Sequence, residues 1–313
     1  MQPADHKRKI PWVRWIGTII ALGLVVWLLL RQGWQEIWYA VQQIDASHFA
    51  LALALMFGSR LSIAGRWYTL LRSAGEKISY ADTLKITFAG LFSSNFLPST
   101  VGGDVVRLAG ARQKGLGGAV SAASLIVDRL VGMAGMLAIS PVGFLKWAAT
   151  GMVMPGARLG GQYFLAAAVP SGDNLVLRVW HKGMSLIKRV GQAISIWLRQ
   201  PKALIIALLF TFGHMAFLFA TLSLFLTGMG DPIPFWTIAG IWSLVYLITL
   251  VPVSINGLGL QEVATVFFFS TLGGAAESSA LTLALLSRTF QMLLSLPGAL
   301  YLSDILPDAT IQE

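Results

Sequence analysis

The residues of this chain that could do chemistry are charges set among apolar neighbours. Arg60, Asp128, Arg129, Glu262 and Arg288 fall inside long hydrophobic runs, and Asp104 and Arg107 lie in a broken stretch between two such runs. A charge near the centre of a bilayer costs at least about 2.5–3.5 kcal/mol on insertion scales, so each needs a partner or a water-filled cavity. Asp128 and Arg129 are adjacent and project about 100° apart on a helix, so each must find its partner on a different element. With Arg66 also inside a run, four or five arginines stand against three acids. That excess of positive charge suits a phosphate-bearing headgroup, because guanidinium meets phosphate in a bidentate fork. The competing expectation is a set of ion pairs that only fixes helix packing.

Two stretches of irregular backbone carry or flank these charges. In Asn95-Phe-Leu-Pro-Ser-Thr-Val-Gly-Gly-Asp-Val-Val-Arg107, Pro98 removes a backbone donor and Gly102-Gly103 frees the chain, so a smooth helix cannot run through it. Pro252-Val-Ser-Ile-Asn-Gly-Leu-Gly-Leu-Gln-Glu262 echoes it after a second apolar run, with Gly257 and Gly259 in the corresponding role. At membrane depth such backbone persists only where protein or a water-filled cavity satisfies its amides and carbonyls.

The elements that must hold these residues are membrane helices. Apolar residues make up 56% of the 313 positions and charged residues 12%, about half the charged share of soluble domains. Crossings of about 20 residues are expected near 13–31, 48–71, 119–145, 149–170, 203–227 and 280–302. Runs 84–97 and 235–251 are read as re-entrant segments that lead into the two broken motifs. The first crossing is expected to be a retained anchor, since Arg31-Gln32-Gly33-Trp34 offers no small-residue cleavage site. With the N-terminus in the cytosol, sixteen of the 23 Lys and Arg fall in cytosolic segments, and only Arg31, Lys146 and Arg158 lie outside. A full crossing at 84–97 would invert this distribution, so the positive-inside rule favours re-entrance and two cytosolic termini.

The net charge of +9 fits cytosolic loops and anionic lipid rather than nucleic acid. Trp34, Ile37, Trp38 and Val41, and again Ile187, Val190, Ile194 and Trp197, recur at the spacing of helices lying in the membrane interface. His214, alone among apolar neighbours, reads as a satisfied core residue. The chain has four scattered histidines and no cysteine, so no metal site is expected. The glycines of Gly115-Leu-Gly-Gly118 lack the context of a phosphate-cradling loop. No cofactor and no catalytic residue are expected.

Read this way, residues 1–313 form a single polytopic membrane domain of two half-repeats, about 10–146 and 147–303, with the same element order and opposite topology. Asp104 precedes Arg129 by 25 residues and Glu262 precedes Arg288 by 26, while Arg60 precedes Pro98 by 38, as His214 precedes Pro252. The fold class is therefore all-α integral membrane, with about six full crossings and two re-entrant broken-helix motifs in an inverted-topology repeat. Secondary transporters of this architecture place their site at the repeat interface.

Asn95, Pro98, Gly102-Gly103-Asp104, Arg107, Asp128-Arg129, Pro252, Gly257, Gly259, Glu262, Arg288 and Pro297-Gly298 together resemble the flippase-like family typified by the transmembrane half of bacterial lysylphosphatidylglycerol synthase. The resemblance covers nearly the whole chain. It implies a multi-pass protein of a bacterial or archaeal cytoplasmic membrane that moves a lipid, anionic or glycosylated, between leaflets. It also implies that Asn95, Asp104, Arg107, Asp128, Arg129, Glu262 and Arg288 bind that lipid, and Arg60, as a charge within a span, is expected to join them. The expected partners are the membrane lipid and either a second copy of the chain or a lipid-synthesis enzyme. The sequence ends at Glu313 without the soluble aminoacyltransferase domain of the full synthase, so lysine transfer is not expected. Gln261 stands where the resemblance calls for a basic residue. A membrane glycosyltransferase or accessory protein of glycolipid assembly, and a secondary ion or solute transporter, are the competing functions.

The charge asymmetry makes a topological prediction. Cysteines introduced singly at Lys114 and Glu277 should react with an impermeant reagent from opposite faces of the membrane, and labelling of both from one face would refute the inverted repeat.

Overall fold

The structure is a computed structural model that describes residues 38–39, 41–42, 44–95, 102–149, 195–250 and 257–305. The described residues form nine helices: α1 (Ala46–Ser73), α2 (Tyr80–Ser94), α3 (Gly102–Gln113), α4 (Gly118–Ala149), α5 (Pro201–Gly228), α6 (Phe235–Thr249), α7 (Leu260–Thr271), α8 (Glu277–Ser295) and α9 (Pro297–Ile305). Four segments are long and apolar enough to cross a membrane, namely α1, α4, α5 and the run Glu277–Leu302. They coincide with the expected crossings 48–71, 119–145, 203–227 and 280–302. The expected crossing 13–31 lies outside the described residues, as does 149–170 apart from Ala149.

Local sequence sets the ends of these helices. Ser79 caps α2 by accepting the Asp82 backbone N–H at 3.0 Å, and Pro201 opens α5 at a position where a missing donor is harmless. The 28-residue α5 is apolar around its whole circumference, so it can face lipid and protein together. Ile205 and Leu209 are exposed on it, whereas Leu218, Leu222 and Phe225 are buried in the main core. That core joins α5 and α6 to Met56 of α1, Met136 of α4 and Phe290 of α8.

Helix lengths repeat along the chain. The helices α1, α2 and α3 have 28, 15 and 12 residues, and α5, α6 and α7 again have 28, 15 and 12. The two long helices α1 and α5 pack directly on each other. Both short pairs double back. Lys114, just past α3, pairs at 2.7 Å with Asp82 in the first turn of α2, and Asp231 before α6 accepts the Ala276 N–H after α7 at 3.3 Å. Lys114 and then Ser79 hold the Asp82 carboxyl below the usual carboxylate range. A helix of 15 residues spans about 22 Å, short of the roughly 30 Å hydrocarbon core.

Trp197, expected on an interfacial helix, is buried, and its indole N–H donates to the Leu70 carbonyl at 3.0 Å near the end of α1. Its amphipathic partners Ile187, Val190 and Ile194 lie outside the described residues, as do Trp34 and Ile37.

Without a hydrophobic drive between helices in lipid, close approach depends on small residues. One such close crossing is Gly143 of α4 against Gly240 of α6, where a Cβ on Gly240 would lie 2.6 Å from the Gly143 amide nitrogen. At Gly213 of α5 the same addition meets only Ser62 Oγ at 3.5 Å. Gly240→Ala should therefore cost about 1–3 kcal/mol through overpacking, and Gly213→Ala should be close to neutral. Thermal unfolding of the two variants in detergent compares them directly.

Candidate functional site

The charges that the sequence places at depth are gathered into two stations. Each has an acid in the first turn of a short helix and an arginine on the long helix that follows. Asp104 is the third residue of α3 and Glu262 the third of α7, whereas Arg129 is the twelfth residue of α4 and Arg288 the twelfth of α8. Eleven residue steps place each arginine roughly 16 Å along its helix. The negative carboxylates at the starts of α3 and α7 also suit the positive ends of those helices.

At the first station Asp104 accepts from Arg129 Nε through Oδ2 and from Arg107 Nη1 at 3.3 Å through Oδ1. Arg107 continues to Asp128, both of its terminal nitrogens lying 3.2 Å from Oδ2. Asp128 Oδ1 accepts from Arg66 Nε at 2.7 Å, and Arg66 donates onward to Thr211 Oγ1 of α5 at 3.2 Å. The Arg107 guanidinium also lies 4.2 Å from the centre of the Trp67 ring, whose indole N–H is fixed on Ser124 at 3.0 Å. Asp128 and Arg129 thus both find partners on other helices, Asp128 on α1 and α3 and Arg129 on α3. Asp128 is 2% exposed, and the two guanidiniums on it supply the compensation that a buried carboxylate needs.

At the second station Arg288 Nε donates to Glu262, and the other Glu262 oxygen accepts the Gly259 N–H at 2.7 Å. Arg288 also donates to the Gly257 carbonyl at 3.3 Å and to Gln261 Oε1 at 3.4 Å. Gly257 and Gly259 hold φ of 68° and 77°, a region that side chains disfavour, so the glycines allow the tight turn that presents these groups. Gln261 takes no phosphate-gripping charge to this place; its amide oxygen is a ligand of Arg288.

Both stations reach one cavity of about 300 Å³. Arg129 lines it from the first station, and Gly257 and Gln261 line it from the second. Its wall is completed by Ser59 and Arg60 of α1, His214 of α5, Trp242 and Tyr246 of α6 and Gln291 of α8. His214 is satisfied, as expected, with its Nδ1 at 2.6 Å from Ser59 Oγ, but it belongs to this wall and not to a dry core. A cavity lined about equally by apolar and polar groups, two arginines among them, fits a small polar ligand or headgroup.

Of the expected site residues, Arg60 and Arg129 line the cavity, and Asp104, Arg107, Asp128, Glu262 and Arg288 form the polar groups behind it. Asn95 is directed elsewhere. Its amide donates to Ser295 Oγ at 2.8 Å and ties the end of α2 to the end of α8. Gly103 packs against α2, since a Cβ on Gly90 would lie 2.8 Å from the Gly103 carbonyl, and Gly102 begins α3 beside it. Pro98 and Pro252 lie outside the described residues. Sequence reasoning passed over Arg66, Trp242, Tyr246 and Gln291 as site residues. Arg66 carried a usable signal as a charge within a span, and Gln291 carried one as a polar residue one turn from Arg288.

Comparison with known proteins places this geometry in context. The family of the lysylphosphatidylglycerol synthase transmembrane region matches residues 14–298. A UPF0104 membrane protein of Pyrococcus horikoshii is 26% identical over 135 residues, 42% of this chain. That match spans 40% of the relative's own length.

The paired geometry makes a test of coupling possible. Asp104 pairs with Arg129 and Glu262 pairs with Arg288. Glu262→Ala strands a buried guanidinium and should cost about 3–5 kcal/mol, part of which Arg288→Ala in the same chain should restore. Asp104→Ala combined with Glu262→Ala should be additive to within about 0.5 kcal/mol. Both cycles are read from unfolding midpoints of the purified protein.

Proposed function

Because this chain belongs to the family of the lysylphosphatidylglycerol synthase transmembrane region, we propose that it moves a phosphate-bearing lipid, anionic or glycosylated, between membrane leaflets without ATP. The observation that carries this reading is the single cavity reached by two equivalent acid–arginine stations, one from each half of the chain. In this reading the two doubled-back helix pairs are re-entrant and the halves form an inverted repeat. Two further crossings bring the total to six. Both termini lie in the cytosol of a cell bounded by this cytoplasmic membrane.

The chemistry is transfer without covalent change. A phosphate in hydrocarbon is strongly disfavoured, and that penalty keeps unassisted exchange between leaflets slow. Arginines at mid-depth offset part of it with charge-assisted hydrogen bonds, while the acyl chains stay in lipid. The cavity volume suits a headgroup and not whole acyl chains. Rocking of one half against the other would open the site to each leaflet in turn, driven by the gradient of the lipid or of a coupled ion.

The protein reconstituted in liposomes should speed the movement of fluorescent phosphatidylglycerol, measured by quenching of the outer leaflet. Arg129→Lys and Arg288→Lys keep the charge but lose the bidentate fork. Loss of one charge-assisted hydrogen bond, about 1.5–3 kcal/mol, should slow transport by roughly ten- to a hundredfold. Arg129→Gln and Arg288→Gln should slow it further. Unchanged rates in folded Gln variants would overturn the phosphate path.

A further inference from the structure

We propose that the cavity selects a lipid headgroup in which the phosphate is not accompanied by an ammonium group, with the Arg60 guanidinium as the phosphate ligand. The inference rests on the translocation reading and deepens it. It starts from a charge inventory of the interior. Arg60, Arg66 and Arg107 are buried, Arg288 is half-buried and Arg129 is exposed where it lines the cavity, against the carboxylates of Asp104, Asp128 and Glu262. Each of those three acids is already engaged: Asp104 by Arg129 and Arg107, Asp128 by Arg66 and Arg107, and Glu262 by Arg288. Among the described residues no carboxylate pairs with Arg60, although it is 8% exposed and lines the cavity. The links between α2 and α3 and between α6 and α7 add no acid, since residues 96–101 and 251–256 contain neither Asp nor Glu.

Among the described residues these five guanidiniums against three carboxylates leave a net excess of two positive charges, and Arg60 is the guanidinium with no carboxylate on it. A guanidinium held in a low-dielectric interior without an anion is costly to keep. A bound phosphate supplies the missing charge and offers two oxygens to the planar guanidinium fork. An ammonium group in the same headgroup meets the opposite situation. Arg60 and Arg129 repel it, and every carboxylate within reach is spent. The remaining polar wall, Tyr246, Gln261 and Gln291, offers hydroxyl and amide groups suited to a hydroxyl-bearing moiety such as glycerol or a sugar. A lysine ester carries two amino groups, so the cavity disfavours the aminoacylated lipid for which the family is named.

The test uses the full chain in nanodiscs of phosphatidylcholine, with displacement of fluorescent phosphatidylglycerol as the readout. Unlabelled phosphatidylglycerol and phosphatidic acid should displace it, and lysylphosphatidylglycerol should be weaker by at least about tenfold. Arg60→Gln should bring the three lipids to within about twofold of one another, and Arg60→Lys should retain the order at lower affinity. The unfolding midpoint of Arg60→Gln without lipid should hold or rise, because the change removes an uncompensated charge. A fall in that midpoint would assign Arg60 to packing and overturn the proposal. Equal or tighter binding of lysylphosphatidylglycerol would overturn it too, as would an intact preference in Arg60→Gln. Displacement by inorganic phosphate as effective as that by lipid would mark a site for a free anion and sink the lipid assignment. Headgroup preference at equilibrium together with no movement in liposomes would refute translocation and leave the selectivity standing. Movement without preference would refute the selectivity alone.

Discussion

A carboxylate with two guanidiniums on it, buried between helices, is the constraint that most of this structure answers to. Asp128 is nearly inaccessible and draws Arg66 from α1 and Arg107 from α3. Through Arg66 and Thr211 the same contact extends to α5. In hydrocarbon none of these charges can retreat to water, so the helices that bear them must come together or leave a charge stranded. Apolar packing between membrane helices has no comparable directionality, because lipid tails are as good a neighbour as leucine. The ion pairs therefore fix which helices meet and in which rotation, and small residues such as Gly143 and Gly240 let the backbones close to the required distance.

The same constraint explains why the backbone is broken where it is. A carboxylate in the first turn of a helix faces the positive end of the helix dipole and can reach unsatisfied backbone amides. Glu262 does this by accepting the Gly259 N–H while holding Arg288. Asp104, at the equivalent place in α3, holds Arg129 and Arg107, the latter one turn on in its own helix. A 15-residue helix lies before each break and a 12-residue helix after it.

The cavity between the stations inherits an electrostatic bias from this arrangement. Each half commits its own acids to its own arginines, so what remains at the shared surface is positive. Arg60 and the exposed side of Arg129 face a wall of neutral hydrogen-bonding groups. A membrane interior organised this way favours an anion by what it has already neutralised as much as by what it displays.

The sequence by itself determined which residues had to be explained. Hydropathy and length located the four crossings among the described residues, because a bilayer imposes a run of apolar side chains whatever the neighbours are. Proline, glycine and buried charge located the two breaks. The 25- and 26-residue spacings from acid to arginine became real contacts, since a short helix and the long helix after it leave few ways to return to the same depth. Tertiary structure alone decided partnership. Asp104, Arg107 and Asp128 could have met in several pairings, and only the packing of α3 against α4 and α1 selected the one observed. Asn95 stood beside the charged motif in sequence, yet its side chain meets Ser295, because a residue at the end of α2 faces whichever helix packs there. Trp242, Tyr246 and Gln291 looked like ordinary members of apolar helices. They line a cavity because helices from both halves converge on it, and that convergence is a long-range fact which no local pattern of side chains encodes.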